Sequence, residues 1–505
     1  MKAILSVYDK TGLTDFARGL VELGFEIYST GGTRKALDSA GVAVHSVSDL
    51  TGFPEIMDGR VKTLHPGVHA GILANRAIPA HMEQLAEQGL EPIDLVAVNL
   101  YPFAATVARP GVSVADAIEN IDIGGPTMIR AAAKNHESVL VVVSPDDYGR
   151  VLDGLRQGAV PISVRRQLAA TAYAHTAAYD SDIAAYTRDL EPAEGWPRQY
   201  AIAGTRAQEL RYGENPHQAA ALYRVGAGGL GMASAEQLQG IELSYNNIVD
   251  LDAAWELVQD LPRPGAAIIK HTNPCGAATA GSIADAYQLA YECDTTSAFG
   301  GIVALNQDCD EETARRISTI FVEAVAAPGF SPGALELFAT KKKLRVLKVA
   351  AAPPSPVVKV VSGGFLVQSP DAGIEERSGM RSVGRRQPTE AEWEQMLLAW
   401  SVVKHVKSNA IVLAQDGAAV GVGAGQMSRV ESVQLAAQRA GARAAGSVLA
   451  SDAFFPMTDG VEAAADAGIT AIIQPGGSVK DAEVLEVADD RGLAMVYTGR
   501  RHFRH

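Results

Sequence analysis

Residues 3–41 read AILSVYDKTGLTDFARGLVELGFEIYSTGGTRKALDSAG, and the fold turns on this stretch. AILSVYD has the unbroken apolar character of a buried strand. In TGLTDFARGLVELG, Leu13, Phe16, Leu20 and Leu23 recur on one helical face, with Thr11 as the expected N-cap and Gly24 as the stop. EIYST (26–30) is a second strand and GTRKALDSAG a second helix. Further on, LVAVNLYP (95–102) and SVLVVVS (138–144) repeat the strand signal. A βαβα rhythm of this kind predicts a mainly parallel sheet covered by helices.

An Ala-rich helix is predicted over 164–190. EPAEGWPRQ then breaks the pattern with two prolines and a glycine, so the domain boundary is expected near residue 195. Beyond it, strands such as GAAIIK, GGIVALN, AIVLAQDG and ITAIIQP alternate with Gly and Pro turns. That part is long enough for two lobes, about 196–355 and 356–505, with an Ala-Pro-Val stretch (349–361) between them. No short-period repeat is visible.

With 505 residues, 47% of them apolar, the chain has material for two or three packed domains. A net charge of −14 and only 6% aromatic residues argue against a nucleic-acid surface. No apolar run reaches the ~18 residues of a membrane span, and the first ten residues lack a secretory signal, so a cytoplasmic protein is expected. Cys275, Cys293 and Cys309 are widely spaced, which suggests neither disulfides nor a zinc site.

Ser29-Thr30-Gly31-Gly32-Thr33 ends a strand and opens a helix, where backbone N–H groups can hold a phosphate. An ordinary glycine turn explains the pentad equally well. GRVKTLHPGVHAG (59–71) adds Arg60, Lys62, Thr63, His65 and His69. Pro66 and Gly67 between the histidines, and no Glu after His65, exclude the H-E-x-x-H pattern, so the two cations read better as anion partners than the histidines as metal ligands. NLYPF (99–103) sits at a strand end, where ligands collect in open α/β sheets, and IDIGGPTMIRAAAKNH (121–136) contributes Asp122 and Lys134. Singly each residue is more often structural. Together Lys62, Tyr101, Asp122 and Lys134 suit one crevice for charge steering and proton transfer.

KHTNPCG (270–276) admits three readings. A deaminase-type zinc site would need H-x-E and P-C-x-x-C, which are absent. A nucleophilic Cys275 lacks recognisable supporting groups. For a base with an oxyanion stabiliser, His271 and Lys270 would have to converge where the strand ends, an ending expected from Asn273-Pro274. The segment alone favours a plain structural turn. LRYGENPHQ (210–218) is a plausible binding loop; GVGAGQ lacks the dinucleotide glycine spacing, although Arg429 just after it suits an anion; Lys341-Lys342-Lys343 with Arg345 reads as a solvated face.

In order, STGGT, GRVKTLHPGVHAGIL, NLYPF, IDIGG, AAAKN, RYGENPHQ, KHTNPCGAA, AFGGIVALN, KSNAI, GAGQMSR, SDAFFP and the basic C-terminus closely resemble the bifunctional purine biosynthesis family, which joins an IMP cyclohydrolase to an AICAR formyltransferase. The resemblance implies a methylglyoxal-synthase-like parallel-sheet domain (1–195), then a formyltransferase part (196–505) of two cytidine-deaminase-like α/β lobes without zinc. It implies a cyclohydrolase phosphate site at Ser29, Thr30, Gly31, Gly32 and Thr33 with Ser6 and Lys10 nearby, and ring closure at Arg60, Lys62, Thr63, Asn99, Tyr101, Asp122 and Lys134. It implies Arg211, Tyr212, Gly301, Glu323, Asn409 and Arg429 for the formyltransferase nucleotide, Lys270 and His271 for catalysis, and Phe454, Asp459, Gly476, Gly477 and Arg501 for the folate. Expected partners are AICAR, formyl-AICAR, IMP and the co-substrate 10-formyltetrahydrofolate, with no metal, in a homodimer sharing its formyltransferase sites. Competing readings are a nucleotide deaminase or hydrolase on the same lobes, and a non-catalytic nucleotide-binding regulator.

Overall fold

Five strands, β1 (Lys2–Val7), β2 (Glu26–Ser29), β3 (His45–Ser46), β4 (Leu95–Asn99) and β5 (Leu140–Val142), lie in the order β3-β2-β1-β4-β5 with every pair parallel. β4 is buried at all five positions, as helices on both faces of a parallel sheet require. The computed structural model describes residues 1–57, 60–191, 195–226 and 229–505. Residues 192–194, inside the predicted break, lie outside the described residues. The chain forms two compact units, one of residues 1–205 with 224–228, the other of residues 206–223 with 229–505.

The first helix, Leu13–Glu22, is capped by Gly12 in the left-handed region (φ 65°) rather than by Thr11. The reason is local. Asp9 Oδ1 accepts from both Thr11 N (2.9 Å) and Thr11 Oγ1 (2.7 Å), which takes that hydroxyl out of capping. The Ala-rich segment is one helix, Ile162–Leu190.

In the second unit β6 (Thr205–Leu210) and β7 (Ala220–Arg224) form a ribbon. The main sheet has twelve strands: β8 (Glu236–Gln239), β9 (Gly265–Lys270), β10 (Asn273–Thr279), β11 (Ile302–Leu305), β12 (Ala324–Ala327) and β13 (Arg345–Lys348), then β16 (Arg381–Ser382), β17 (Ile411–Gln415), β18 (Ala418–Gly423), β19 (Val448–Ser451), β20 (Ala471–Gln474) and β21 (Ala494–Tyr497). Between these sets, β14 (Val357–Val361) and β15 (Gly364–Gln368) form an exposed hairpin in the stretch expected to join the lobes. The order β16-β21-β20-β19-β17-β18-β10-β9-β11-β12-β13-β8 reads the same outward from its centre. Each half has an antiparallel hairpin (β9–β10 or β17–β18) and then three parallel strands, and the halves join antiparallel at Ala278 and Ala418.

This is an internal repeat at a spacing of 145 residues. Trp255 and Trp400 occupy matching places, and so do two capping boxes, Ser244 with Asn247 and Thr389 with Glu392. Matching glycines, Gly276 in β10 and Gly421 in β18, let a helix press on the sheet: a Cβ at Gly276 would stand 1.8 Å from Ala290 O, and one at Gly421 2.2 Å from Ala436 O. Gly423 does the same, its Cβ position lying 2.0 Å from Ser432 O, so GVGAGQ is a packing motif here.

The structure corrects two expectations. Asn273-Pro274-Cys275-Gly276 is not a turn but the start of β10: Pro274 stands opposite Ile269, and the pairing shifts register at Cys275, before Gly276. Arg345 is not on a solvated face: it opens β13, is 7% exposed, and pairs with Glu323 Oε2 at 2.6 Å. We expect Gly276→Ala to destabilise the second unit by about 3 kcal/mol in thermal or denaturant unfolding. Gly281→Ala, with no neighbour within 4 Å, should leave it unchanged.

Candidate functional site

In the first unit a cavity of about 450 Å³ lies at the carboxyl end of the parallel sheet, within the size range of small-molecule sites. Ser6, Arg60, Lys62, Thr63, Tyr101 and Asp122 all line it. Ser6, near the end of β1, also faces Thr30 across 3.4 Å between hydroxyls, which joins the cavity to the glycine loop. There the helix Gly31–Ser39 begins with Gly31 (φ 45°) and Gly32 exposed, and Thr30 caps it without a side-chain hydrogen bond. Free amides at that terminus suit a phosphate. Ser29 and Thr33 serve differently: Ser29 Oγ donates to Leu5 O (2.6 Å), and Thr33 Oγ1 accepts from Val7 N and donates to Val7 O (both 2.9 Å), fixing the loop to β1.

Asp122 stands at the mouth of the helix Gly124–Lys134, its Oδ1 accepting from Gly125 N at 2.8 Å. Burial pushes its carboxyl above the usual carboxylate range, against the Gly125 amide and the Lys62 ammonium, which pull it down. Arg60 is paired with Glu119. Asn99 supports the site indirectly, its Oδ1 accepting from Tyr8 N (2.7 Å) and Asp9 N (2.9 Å); Lys10 donates to Tyr8 O at 3.1 Å on the surface. Lys134 is exposed at the far end of its helix and is not among the residues lining the cavity. His65 Nδ1 accepts from Gly67 N (3.0 Å) and caps the helix Pro66–Leu73; burial lowers the pKa of His69.

In the second unit β9 ends at Lys270 and turns into β10 through two residues, His271 (φ 52°) and Thr272 (φ 62°). Two-residue hairpins of this hand are ordinarily built from Asn-Gly or Asp-Gly. The matching hairpin in the other half is Asp416-Gly417 (φ 50° and 80°). The carboxylate of Asp250 holds the strained turn, accepting from Thr272 N at 2.7 Å and His271 N at 3.3 Å, as Gln395 Oε1 accepts from Gly417 N at 2.9 Å in the other half. Lys270 Nζ donates to Phe299 O at 2.5 Å, beside the Gly300-Gly301 loop. Its ammonium and the exposed imidazole of His271 thus leave one hairpin end.

Glu323 is committed to Arg345, and Arg211 lies over the Tyr212 ring (5.8 Å) in the β6–β7 loop. Glu214 O in that loop accepts from Asn246 Nδ2 at 3.3 Å, on the helix that carries Asp250. Arg429 is 6% exposed and reaches Ser451 Oγ (2.7 Å), Asp452 Oδ1 (2.5 Å) and, through Nη2, Asn409 Oδ1 (2.8 Å). Arg429 and Asn409 therefore meet as one cluster. Phe454 is half-buried, Asp459 opens the helix Asp459–Asp466, Gly476 and Gly477 have positive φ (71° and 94°), and Arg501 lies over Phe503 (4.6 Å).

The description "AICARFT/IMPCHase bienzyme" fits a family model matching residues 132–439, and an MGS-like domain model matches residues 12–127. The chain is 55% identical over 523 residues to the bifunctional purine biosynthesis protein PurH of Cereibacter sphaeroides, covering 100% of this chain and 98% of that one. It is 54% identical to the PurH of Desulfitobacterium hafniense over 517 residues and 52% identical to that of Anoxybacillus flavithermus over 509, each covering 100% of this chain and 99% of the relative. The chain belongs to the AICARFT/IMPCHase bienzyme family.

In this bienzyme the MGS-like match falls on the unit with the five-stranded parallel sheet. Its three thiols are buried, and burial pushes Cys275 and Cys293 up to about 12, so Cys275 is packing rather than a nucleophile. Among the described residues no group of three His, Cys, Asp or Glu is placed to hold a metal, and no helix is long and apolar enough to cross a membrane. Sequence reading missed Asp250, for which the 145-residue repeat is the signal, and Tyr179, whose hydroxyl accepts from Asp122 N at 2.7 Å.

A pKa raised by folding makes stability fall as pH rises from the unfolded value through the folded one. Asp122→Asn should therefore stabilise the first unit at neutral pH and do little in acid, read as the melting-temperature difference between variant and wild type across pH.

Proposed function

We infer that the chain catalyses the last two steps of IMP synthesis: formyl transfer from 10-formyltetrahydrofolate to the 5-amino group of AICAR, then dehydrative closure of formyl-AICAR to IMP. The observation that carries this reading is full-length similarity to proteins named bifunctional purine biosynthesis protein, together with the match of residues 132–439 to the AICARFT/IMPCHase bienzyme model. Two separate sites of suitable chemistry support it.

For formyl transfer, the AICAR amine is a weak nucleophile because its lone pair is delocalised toward the carboxamide. His271 takes the amine proton as nitrogen attacks the formyl carbon. Lys270 donates to the oxyanion of the tetrahedral intermediate, or to the folate nitrogen as it leaves. Its hydrogen bond to Phe299 O fixes the direction of the ammonium. Arg211 and Tyr212 are assigned to the nucleotide along with Gly301, Glu323, Asn409 and Arg429, and Phe454, Asp459, Gly476, Gly477 and Arg501 to the folate.

For ring closure, the carboxamide nitrogen attacks the formyl carbon of the same molecule and water leaves. Holding the two groups in contact supplies much of the acceleration. The amides at Gly31 and Gly32 with Ser6 and Thr30 take the phosphate, while Lys62, Arg60, Thr63 and Tyr101 surround the reacting end. Asp122, its carboxyl raised by burial, exchanges protons there. We assign Lys134 to the same step on family resemblance, which also supports a cytoplasmic homodimer with shared formyltransferase sites; sedimentation velocity checks the dimer.

Incubating the protein with AICAR and 10-formyltetrahydrofolate should yield IMP. His271→Ala and Lys270→Ala should each cut formyl transfer by about 10²–10⁴ and leave cyclisation of supplied formyl-AICAR intact, while Lys62→Ala should do the opposite. Loss of both activities in each folded variant would sink the two-site assignment.

A further inference from the structure

The last eight residues, 498–505, form neither helix nor strand, yet they are pinned along their length. His502 N donates to Asp452 O (3.0 Å), and Arg504 O accepts from Ser408 N (2.9 Å). Arg500 reaches Asp371 (3.1 Å) and Glu375 (3.2 Å), and Arg504 reaches Glu256 (2.9 Å). At the centre stands His502, whose side chain has 0% exposure. Its Nδ1 is 2.6 Å from Asp371 Oδ2 and its Nε2 3.0 Å from Glu375 Oε2. Trp400 packs against the ring (centroids 5.0 Å apart) and donates Nε1–H to the same Glu375 oxygen at 2.9 Å.

A neutral imidazole has one N–H and one lone pair. With a carboxylate oxygen on each side, the half-exposed Asp371 and the largely buried Glu375, either tautomer would turn its lone pair on an anion. Only a ring that donates from both nitrogens satisfies this geometry, and hydrogen bonds between ionised partners are the strong ones. The carboxylate of Glu375 is kept ionised: burial pushes its pKa up, but hydrogen bonds from Trp400 and His502 outweigh that and hold it below the usual range.

We propose that His502 is a positioning residue for formyl transfer, locking the C-terminal tail onto the Asp452–Arg429–Asn409 cluster by donating from both ring nitrogens to Asp371 and Glu375. This rests on the formyltransferase reading of the second unit. The link is physical. Asp452 receives the tail through its carbonyl while its carboxylate holds Arg429 and Ser408, and Arg429 in turn holds Asn409. The tail also carries Arg501, one residue before the clamp. Freeing His502 loosens both the Asp452–Arg429–Asn409 cluster and the tail segment that carries Arg501, without removing any group assigned to substrate.

His502→Gln in the full-length protein, which keeps one donor and loses the second, is the test. The KM for AICAR and for 10-formyltetrahydrofolate should rise about tenfold or more with a smaller change in kcat. Cyclisation of formyl-AICAR should be unchanged, and trypsin should cut the tail faster. In ¹⁵N-histidine NMR of the wild type at neutral pH, one ring should show both nitrogens protonated, a signal absent from the variant. Unaltered KM values, equal loss of both activities, or a neutral-imidazole signature for His502 would overturn the clamp. Absence of formyl transfer in the wild type overturns the functional reading instead, and the NMR signature then decides the clamp.

Discussion

The second unit is organised around a turn that its own residues disfavour. His271 and Thr272 both carry positive φ, which costs on the order of 1–3 kcal/mol per residue, and a β-branched residue there is a genuine outlier. The turn persists because its flanks are over-determined. β9 and β10 are buried and paired on both sides, and the Asp250 carboxylate accepts both turn amides. A turn of two residues is also what puts an imidazole and an ammonium at one hairpin end, since a longer loop would let them move apart.

The repeat gives this strain its meaning. In the other half the same hairpin uses Asp416-Gly417, which suits the backbone, with Gln395 in the place of Asp250. Lys270 and His271 there become Gln415 and Asp416. One half thus keeps the relaxed form of the element and the other carries Lys270 and His271, the pair proposed for formyl transfer, in a strained form. The packing that supports both is shared: the matching glycines Gly276 and Gly421 bring helix backbone onto the sheet, and two tryptophans, Trp255 and Trp400, fill matching places.

The first unit was read well from sequence because its signals are local. Apolar runs such as LVAVN mark strands buried on both faces, and glycines mark their ends. The central hairpin is hard to read because Pro274 looks like a strand breaker, yet it stands in β10 opposite Ile269, next to a register shift. Arg345 follows three lysines and so looks solvated, yet the strand that begins there takes it inside to meet Glu323. The 145-residue repeat is faint in the sequence because few side chains are retained across it. Lys62, Tyr101 and Asp122 line one cavity, whereas Lys134 lies outside that lining because the helix that starts at Gly124 carries it away. Asp250, 20 residues before Lys270 in sequence, is brought to the turn by the fold.

If the constrained turn is what makes formyl transfer possible, its anchor matters as much as the reactive pair. The most direct measurement is the rate of formyl transfer in Asp250→Ala beside cyclisation of formyl-AICAR by the same preparation. The account predicts a drop of at least about 10² in formyl transfer, as for a displaced catalytic group, with cyclisation unchanged. Formyl transfer at the wild-type rate in that variant would contradict it.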